Sequence, residues 1–220
     1  MNDIKNENER LTLPFVPEAV IVGNGDFPSH PFPLAVLDQA PCVVCCDGAT
    51  NALADSGRVP DLIVGDGDSL SEENRIRFQD RIHRIPDQET NDQTKAVSFL
   101  ASQGIRRIAI LGATGKREDH TLGNISLLME YQQMGLEVVM LTDYGFFTPA
   151  ADTQTFAGFP HQQVSVFNFD AVQLRSEGLR YPIYDFRYWW QGTLNEVEGD
   201  SFRIMAKGHY LVYRTYEAKG

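Results

Sequence analysis

The hydrophobic positions of this chain change their spacing near residue 146. Upstream of that point, runs of consecutive apolar residues rich in Val and Ile alternate with polar segments of helical length. Such runs are typical of parallel strands buried on both faces, so this part predicts a mostly parallel sheet with helices on both faces. The predicted strands are residues 19–22, 42–45, 62–64, 82–85, 108–111 and 138–141. The predicted helices are residues 31–40, 48–56, 71–79, 92–103 and 119–134.

Downstream of residue 146 the apolar runs are short, alternating or aromatic, and Gly, Pro, Asn and Asp separate them. Residues 163–167 and 209–213 are examples, and no helical period appears. This pattern predicts a smaller all-β sandwich domain after the α/β part. The predicted domains are therefore residues 17–145 and 146–220. Because about 75 residues bury only a limited core, we expect the second domain to pack against the first domain or against another subunit for stability.

Composition narrows the classes of function. The formal charge of −11 argues against a broad nucleic-acid surface, because phosphate backbones are bound through clustered Lys and Arg. No run approaches the roughly 20 apolar residues that span a bilayer, and the polar N-terminus lacks the apolar core of a signal peptide. We therefore expect a cytoplasmic protein in which Cys42, Cys45 and Cys46 are reduced, mostly buried thiols.

The motif Gly-Asp-Gly-Asp-Ser at residues 65–69 directly follows a predicted strand. Mg²⁺ prefers carboxylate oxygens together with phosphate oxygens and water, so Asp66 and Asp68 are candidates to anchor a magnesium–polyphosphate complex. The alternative is an ordinary strand-to-helix turn in which Ser69 caps the next helix, because Glu72 follows at the spacing of a capping box.

Asp47 follows the second predicted strand. It can cap the next helix, or it can make a polar contact to a substrate. A third possibility arises because Gly23-Asn24-Gly25 resembles the start of a dinucleotide fingerprint, with Asp47 placed about 20 residues on as its ribose acid. Pro28 stands where the third glycine of that fingerprint belongs, which argues against a nicotinamide cofactor.

Asp92 opens the fourth predicted helix, which Thr90 or Asn91 can cap. Lys95 follows one turn later on the same helical face. The pair is either a surface ion pair or a metal-binding carboxylate beside a phosphate-binding ammonium group. Because ligands of parallel sheets bind beyond the carboxyl ends of the strands, the acidic motifs in these equivalent places indicate one shared site.

Residues 112–117 (Gly-Ala-Thr-Gly-Lys-Arg) follow the fifth predicted strand and precede a helix. Such a turn offers backbone amides and the positive end of a helix dipole to an anion, and Lys116 and Arg117 add charge. Arg117 suits bidentate contact to phosphate. The motif is not a Walker A loop, because Ile110 and Arg117 replace its first Gly and its Ser or Thr. The alternative is a helix N-terminus flanked by solvated charges.

In their order and spacing, these motifs resemble the thiamine pyrophosphokinase family. That family carries an Asp-Gly-Ala or Asp-Gly-Gly turn, a Gly-Asp-x-Asp-Ser turn, a Thr-Asp-x-x-Lys-Ala helix start and a Gly-x-x-Gly-x-Arg-x-Asp-His loop. The matching segments here are residues 47–49, 65–69, 91–96 and 112–124, with looser matches at 178–181 and 192–196. Asn91, Tyr181 and Leu194 depart from a usual Thr, Trp and Ser.

The resemblance implies transfer of a pyrophosphoryl group from ATP to the hydroxyethyl oxygen of thiamine, which gives thiamine diphosphate and AMP. It implies an α/β catalytic domain that binds ATP and Mg²⁺, and a β-sandwich domain that binds thiamine. It also implies a homodimer whose active site lies at the subunit interface. The residues alone leave open a metal-dependent nucleotide hydrolase or nucleotidyltransferase, and a non-catalytic nucleotide-binding module.

The resemblance also implies a role for each candidate residue. Metal binding is expected from Asp66, Asp68 and Asp92, which form the catalytic set together with Arg117. ATP is expected to contact Asp47, Lys95, Gly112, Thr114, Gly115, Lys116, Asp119 and His120. Thiamine is expected to contact Gln88, Trp189, Trp190, Thr193 and Asn195, with one of the two tryptophans stacked on a thiamine ring.

Overall fold

The computed structural model describes residues 11–85 and 89–219 and divides the chain into two compact units. The α/β unit spans Val16–Asp143. The β unit contains the described residues from Tyr144 onward, together with residues 11–15. The predicted fold class, an α/β part followed by a smaller all-β part, is confirmed. The assignment of ATP to residues 17–145 and of thiamine to residues 146–220 stays a prediction.

A six-stranded parallel sheet forms the centre of the α/β unit, in the order β6-β5-β1-β2-β3-β4. Its strands are β1 Ala19–Val22, β2 Val43–Cys46, β3 Leu62–Val64, β4 Ile82–His83, β5 Arg107–Leu111 and β6 Glu137–Leu141. Its helices are α1 Pro31–Asp38, α2 Ala49–Asp55, α3 Glu72–Arg77, α4 Asp92–Ser102 and α5 Glu118–Gln133. Every residue of β1 is buried, as expected for a central strand with both faces covered.

The β unit consists of antiparallel strands in two sheets, ordered β11-β9-β13-β7 and β10-β12-β8. The strands are β7 Gly145–Ala151, β8 Gln154–Ala157, β9 Gln162–Asn168, β10 Val172–Glu177, β11 Asn195–Glu196, β12 Ser201–Lys207 and β13 His209–Ala218. Burial alternates along β12, where Phe202, Ile204 and Ala206 point inward. This period of two is typical of a strand with one face toward the core.

The core of the β unit contains a buried cation, Arg214 of β13, which is 3% exposed. Its guanidinium lies 4.5 Å from the ring centre of Phe146 and 5.6 Å from that of Phe156. Nη1 donates to the carbonyl of Ala157 at 2.7 Å, and Nη2 donates to Thr148 Oγ1 at 3.4 Å. Within the described residues no carboxylate forms an ion pair with Arg214, and Nε has no partner. Burial lowers the pKa of Arg214 to about 10.

Two expectations from composition can be compared with the described part of the chain. None of its helices is long and apolar enough to cross a membrane. The three cysteines are free thiols, of which Cys45 and Cys46 are buried and Cys42 is half-buried. The cytoplasmic location stays a prediction.

Candidate active site

The strand order of the α/β unit reverses at β1. The chain runs outward from β1 through β2, β3 and β4, and then continues on the other side of β1 with β5 and β6. Open α/β sheets bind ligands in the crevice beyond the carboxyl ends of their strands at such a switch point. The segments that follow β1 and β5 therefore border the most favourable place for a ligand.

These two segments, the first loop (residues 23–26) and the second loop (residues 112–117), are joined to each other. Asp26 N–H donates to the carbonyl of Thr114 at 2.8 Å. A side chain at Gly115 has no room, because its Cβ would lie 2.1 Å from Asp26 Oδ2, and the backbone there has φ +79°. Glycine is the residue that tolerates both conditions. The first loop therefore fixes the course of the second.

Lys116 adds a side-chain connection between the loops. Its Nζ donates to the carbonyl oxygen of Asn24 at 2.9 Å and to Asn24 Oδ1 at 3.2 Å. Helix α1 begins only at Pro31, so the first loop does not open a helix as a dinucleotide fingerprint would. The glycines after β1 instead let the two loops approach closely.

A cavity of about 240 Å³ lies between the two loops and the start of α5. It is lined by Asn24, Gly25, Ala113, Gly115, Lys116, Arg117, His120 and Asn124. The cap residue Arg117 makes no side-chain cap at the start of this 16-residue helix. The His120 N–H donates to Asp119 Oδ1 at 2.9 Å, so the amides that remain for an anion in the first turn are those of Glu118 and Asp119. The cavity thus combines backbone donors with cationic side chains, which is a suitable setting for phosphate groups.

Arg117 is paired with Asp119 at the mouth of this cavity. Nε donates to Oδ1 at 3.1 Å and Nη2 donates to Oδ2 at 2.5 Å, and both side chains are largely exposed. This contact lowers the pKa of Asp119 and raises that of Arg117. Asp119 therefore holds the guanidinium in one orientation, and its role as a direct ATP ligand stays a prediction.

Asp47 is the buried carboxylate of the site, at 5% exposure. Oδ2 accepts the N–H of Ser69 at 3.1 Å, whereas Oδ1 is buried without a hydrogen-bond partner in the described part of the chain. Burial raises the pKa of Asp47, the bonds from Ser69 lower it in part, and the charges of Asp66 and Asp92 raise it further. The charges of Asp66, after β3, and of Asp92, at the start of α4, therefore act on the Asp47 carboxylate.

The turn after β3 presents Asp66 and Asp68 to solvent. Asp68 N–H donates to Asp66 Oδ1 at 3.1 Å, which closes the turn locally. Gly65 lies against Asp47, and a Cβ there would stand 2.7 Å from the Asp47 Cβ. The backbone at Gly65 has φ +153°, so a side chain would be both crowded and strained.

Helix α4 contributes Asp92 and Lys95. Lys95 Nζ lies 3.1 Å from Asp92 Oδ1, and the lysine side chain is only 12% exposed. Asn91 caps the helix, because its Oδ1 accepts the N–H of Thr94 at 2.8 Å. A mostly buried lysine differs from a flexible surface ion pair, since its ammonium group is held beside one carboxylate.

Two residues for which helix capping was an alternative, Ser69 and Asp47, do not cap a helix in the structure. Ser71 caps α3 by accepting the N–H of Asn74 at 3.2 Å, so Ser69 does not start that helix. Gly48 is the cap position of α2 and no side chain bonds there, so Asp47 is not its cap. Asp47 lies one position before the cap of α2 and Ser69 two positions before the cap of α3, and the Ser69 N–H donates to the Asp47 carboxylate instead. The alternative reading of these motifs as plain helix caps therefore fails.

These residues suit a divalent cation that arrives with a polyphosphate. The donors are hard oxygens, and the unpartnered Oδ1 of Asp47 is a buried acceptor that a hydrated cation would satisfy. Within residues 11–85 and 89–219 no three His, Cys, Asp or Glu side chains stand close enough to hold a metal by themselves. Mg²⁺ usually takes one or two carboxylates and completes its shell with phosphate and water, so a ligand is needed to complete this site.

The two tryptophans of the β unit lie in different surroundings. Trp189 donates its indole N–H to the carbonyl of Asn168 at 3.0 Å, and its ring packs against Phe167 and Phe169. Trp190 is 72% exposed and makes no ring contact with the described residues. Trp189 is therefore anchored, whereas Trp190 offers a free ring.

Asn195, a predicted thiamine contact, is 7% exposed and already forms hydrogen bonds through both ends of its amide. Its Oδ1 accepts the N–H of Tyr181 at 3.1 Å and of Glu196 at 2.8 Å, and its Nδ2 donates to the Tyr181 carbonyl at 2.6 Å. Thr193 Oγ1 donates to the Trp190 carbonyl at 2.8 Å. In this structure both side chains support the chain locally. Gln88 lies outside the described residues.

Asn124 is a residue of the site that the sequence analysis did not assign a role. It lies in the second turn of α5, lines the cavity, and donates through Nδ2 to the carbonyl of Ala113 at 2.8 Å. In the sequence, Asn124 is only weakly indicated as a site residue. It is a polar residue six positions after the start of the helix that carries Asp119 and His120. The pairing becomes visible only when the loop is folded back over α5.

Asp47→Asn is expected to raise the melting temperature by about 3 °C at pH 7, since it removes a buried charge at a site that favours function over stability. The folded-state pKa of Asp47 lies above its ordinary value of 3.8. Between these pKa values the folded state binds more protons, so Asp47 lowers the free energy of unfolding as pH rises through that window. Melting curves from pH 3 to 8 test this.

The gain in Asp47→Asn should disappear below the ordinary pKa of 3.8, where the carboxyl is neutral in both states. Asparagine also tolerates the positive φ of +30° at this position, so backbone strain should not offset the gain. A variant that is less stable than the wild type at pH 7 would show that the charged carboxylate contributes favourable interactions that outweigh its burial.

The fold and the site together define a class: an α/β protein with an acidic, phosphate-suited site at the switch point of a parallel sheet, followed by a β-sandwich. The family model "Thiamin pyrophosphokinase, catalytic domain" matches residues 34–140, and "Thiamin pyrophosphokinase, substrate-binding domain" matches residues 145–213. The chain belongs to the thiamin pyrophosphokinase family.

Individual relatives agree with this family. The chain is 31% identical over 150 residues to thiamine pyrophosphokinase 1 of Oryza sativa subsp. japonica, a match that covers 57% of this chain and 55% of that protein. It is 25% identical over 181 residues to thiamine pyrophosphokinase of Bacillus subtilis, which covers 77% and 85% of the two chains. The chain thus spans about half the length of the rice protein and most of the bacterial one.

Solved structures share the fold. The crystal structure of the Bacillus subtilis thiamine pyrophosphokinase superimposes with a TM-score of 0.75 at 21% identity, covering 90% of this chain and 99% of that one. The yeast thiamin pyrophosphokinase gives a TM-score of 0.76 at 17% identity, covering 91% and 87%. At these identities the likeness establishes the architecture.

Proposed function

We propose that the protein transfers a pyrophosphoryl group from ATP to the hydroxyethyl oxygen of thiamine, with thiamine diphosphate and AMP as products. One observation carries the proposal. In a chain that belongs to the thiamin pyrophosphokinase family, the buried Asp47 has an unpartnered Oδ1 and a pKa raised in part by the charges of Asp66 and Asp92, in the same unit as a phosphate-suited cavity.

The ATP phosphates would bind with Mg²⁺ at this edge of the sheet, and Asp66, Asp68 and Asp92 are the proposed ligands of the ion. Bound there, Mg²⁺ offsets the charge of the polyphosphate and makes the β phosphorus more electrophilic. The exposed positions of Asp66 and Asp68 support this role, because carboxylates that meet an incoming ion must remain accessible.

In the transfer step the hydroxyl oxygen of thiamine forms a bond to the β phosphorus, and the bond from that phosphorus to the α,β-bridging oxygen breaks. AMP leaves with the electron pair of the broken bond, and the hydroxyl proton passes to Asp92 or to water. Asp92 is the candidate to orient this hydroxyl. Lys95, Arg117 and the amides of residues 112–117 would stabilise the negative charge that builds up on the transferred group.

Thiamine would bind through the β unit of a homodimer, with the active site at the subunit interface. Large apolar side chains of the β unit are exposed, which is typical of a surface that meets a ligand or another chain. They include Tyr181, Tyr184, Tyr188, Trp189, Trp190 and Leu194. Trp190 is the proposed stacking residue because Trp189 is anchored. Light scattering tests the dimer, and a monomeric mass would contradict it.

The activity is tested by incubating the purified chain with thiamine, ATP and Mg²⁺ and separating the products by chromatography. Thiamine diphosphate and AMP are expected in equal amounts, and omission of Mg²⁺ should abolish both. Formation of ADP or phosphate without change of thiamine would favour a nucleotide hydrolase. Binding of ATP without turnover would favour a non-catalytic module.

A further inference from the structure

The side chain of Asn124 forms hydrogen bonds to two separate parts of the α/β unit, the second loop and the cap of α4. Nδ2 donates to the carbonyl of Ala113 in the second loop at 2.8 Å. Oδ1 accepts from Asn91 Nδ2, at the cap of α4, at 3.0 Å. Both ends of one short, branched amide are therefore used, one on the second loop and one on the helix that carries Asp92 and Lys95.

The backbone of Asn124 strengthens the same connection. Its carbonyl accepts Gln93 Nε2 at 3.3 Å, and the same amide nitrogen reaches Tyr131 Oη at 3.3 Å. Tyr131 is fully buried and also bonds Thr94 Oγ1 at 2.8 Å. The first turn of α4 is thus held against α5 by a buried network, while the Asn124 amide extends that network to the second loop.

Asn91 performs two tasks through the two ends of its amide. Its Oδ1 caps α4 by accepting the N–H of Thr94, and its Nδ2 donates to Asn124. A hydroxyl residue at this position keeps an oxygen for the cap, but it lacks the second, opposed donor. The chain therefore allows the cap and the connection to be separated experimentally.

We propose that Asn124 is a positioning residue, which fixes the second loop at the distance from Asp92 and Lys95 that a magnesium-bound ATP requires. The inference rests on the proposed function only in its choice of nucleotide. If the two phosphate-binding elements are held in place before ATP arrives, binding does not have to order them. Loss of the connection then weakens ATP binding more than it slows the chemical step.

Asn124→Ala is the test. The dissociation constant for α,β-methylene ATP with Mg²⁺, measured by calorimetry, is expected to rise about tenfold. In the variant, the second loop must be ordered when the nucleotide binds, and this loss of entropy weakens binding. In steady-state assays the KM for ATP should rise in the same proportion, with kcat changed less than about twofold, as expected when the lost interaction is equal in ground and transition states. The KM for thiamine should not change.

Asn91→Ser is a second variant that tests the same connection from the side of α4. It retains the helix cap, so the melting temperature should stay close to that of the wild type. The dissociation constant should rise several-fold, and the double variant with Asn124→Ala should bind no more weakly than Asn124→Ala alone, because both changes remove one connection. Additive losses would mean that the two residues act independently, and would overturn the inference.

Ser126→Ala is the matched control on the same helix. Among the described residues, Ser126 Oγ donates to the carbonyl of Gly123, three residues earlier in the same helix, at 2.7 Å, and the change should leave nucleotide binding as in the wild type. If Asn124→Ala lowers kcat without raising the dissociation constant, its role is structural and the inference fails. Calorimetry measures the dissociation constant of the analogue and does not require turnover. A protein that binds the analogue but leaves thiamine unchanged therefore contradicts only the proposed function. A wild type that does not bind the analogue contradicts the inference itself.

Discussion

Asp68→Asn is expected to lower the rate of thiamine diphosphate formation at least about a hundredfold, while the protein keeps its fold. Asp68 is exposed, and the turn is closed by its backbone N–H rather than by its carboxylate. Removal of the charge should therefore leave the turn intact and remove only the group proposed to bind Mg²⁺. The measurement is AMP formation at saturating Mg²⁺, alongside a melting curve.

Asp55→Asn is the matched control for this change. Asp55 is an exposed aspartate at the last residue of α2, so it alters the net charge equally while lying at the end of the helix away from the site. Its turnover should equal that of the wild type. Wild-type turnover in Asp68→Asn as well would remove Asp68 from the proposed metal ligands.

The largest effect on stability is expected from Arg214→Ala, which should cost about 3 kcal/mol of unfolding free energy. The change empties the space between two aromatic rings, and it leaves the carbonyl of Ala157 without its donor. Urea unfolding gives the free energy by linear extrapolation, and a slope equal to that of the wild type indicates that the variant still unfolds in the same two-state transition.

Arg214→Met separates packing from charge. Methionine keeps the long stem and removes a buried cation that has no carboxylate partner among the described residues. Apolar replacement of a buried charge is often neutral or stabilising, so the loss should be less than half of that in the alanine variant. Equal losses in the two variants would show that the guanidinium hydrogen bonds, and not the packing, stabilise this part of the core.

Much of the fold follows from the sequence because the apolar patterns are unambiguous. Strands such as β1 are apolar at every position, which requires cover on both faces, whereas β12 alternates and requires it on one. The limits of short elements are less well determined. β4 ends at His83 rather than at residue 85, because local propensity does not record how far a neighbouring strand extends.

The site is predictable in its chemistry and less so in its connections. The sequence places acidic motifs at the strand ends, and the charges of Asp66 and Asp92 do raise the pKa of Asp47 there. It does not reveal that the Ser69 N–H donates to Asp47, or that the Asn195 side chain is hydrogen-bonded to the backbone of Tyr181. Such bonds join residues that are 22 and 14 positions apart, and only the folded backbone decides them.

The contrast between Trp189 and Trp190 has an optical consequence. These are the two tryptophans of the whole chain, and both belong to the β unit. Indole emission from the unlabelled protein therefore originates in that unit alone, with one ring in contact with Phe167 and Phe169 and the other 72% exposed to water. The protein carries its own fluorescent reporter of the sandwich domain, and the parallel sheet that carries the carboxylates has none.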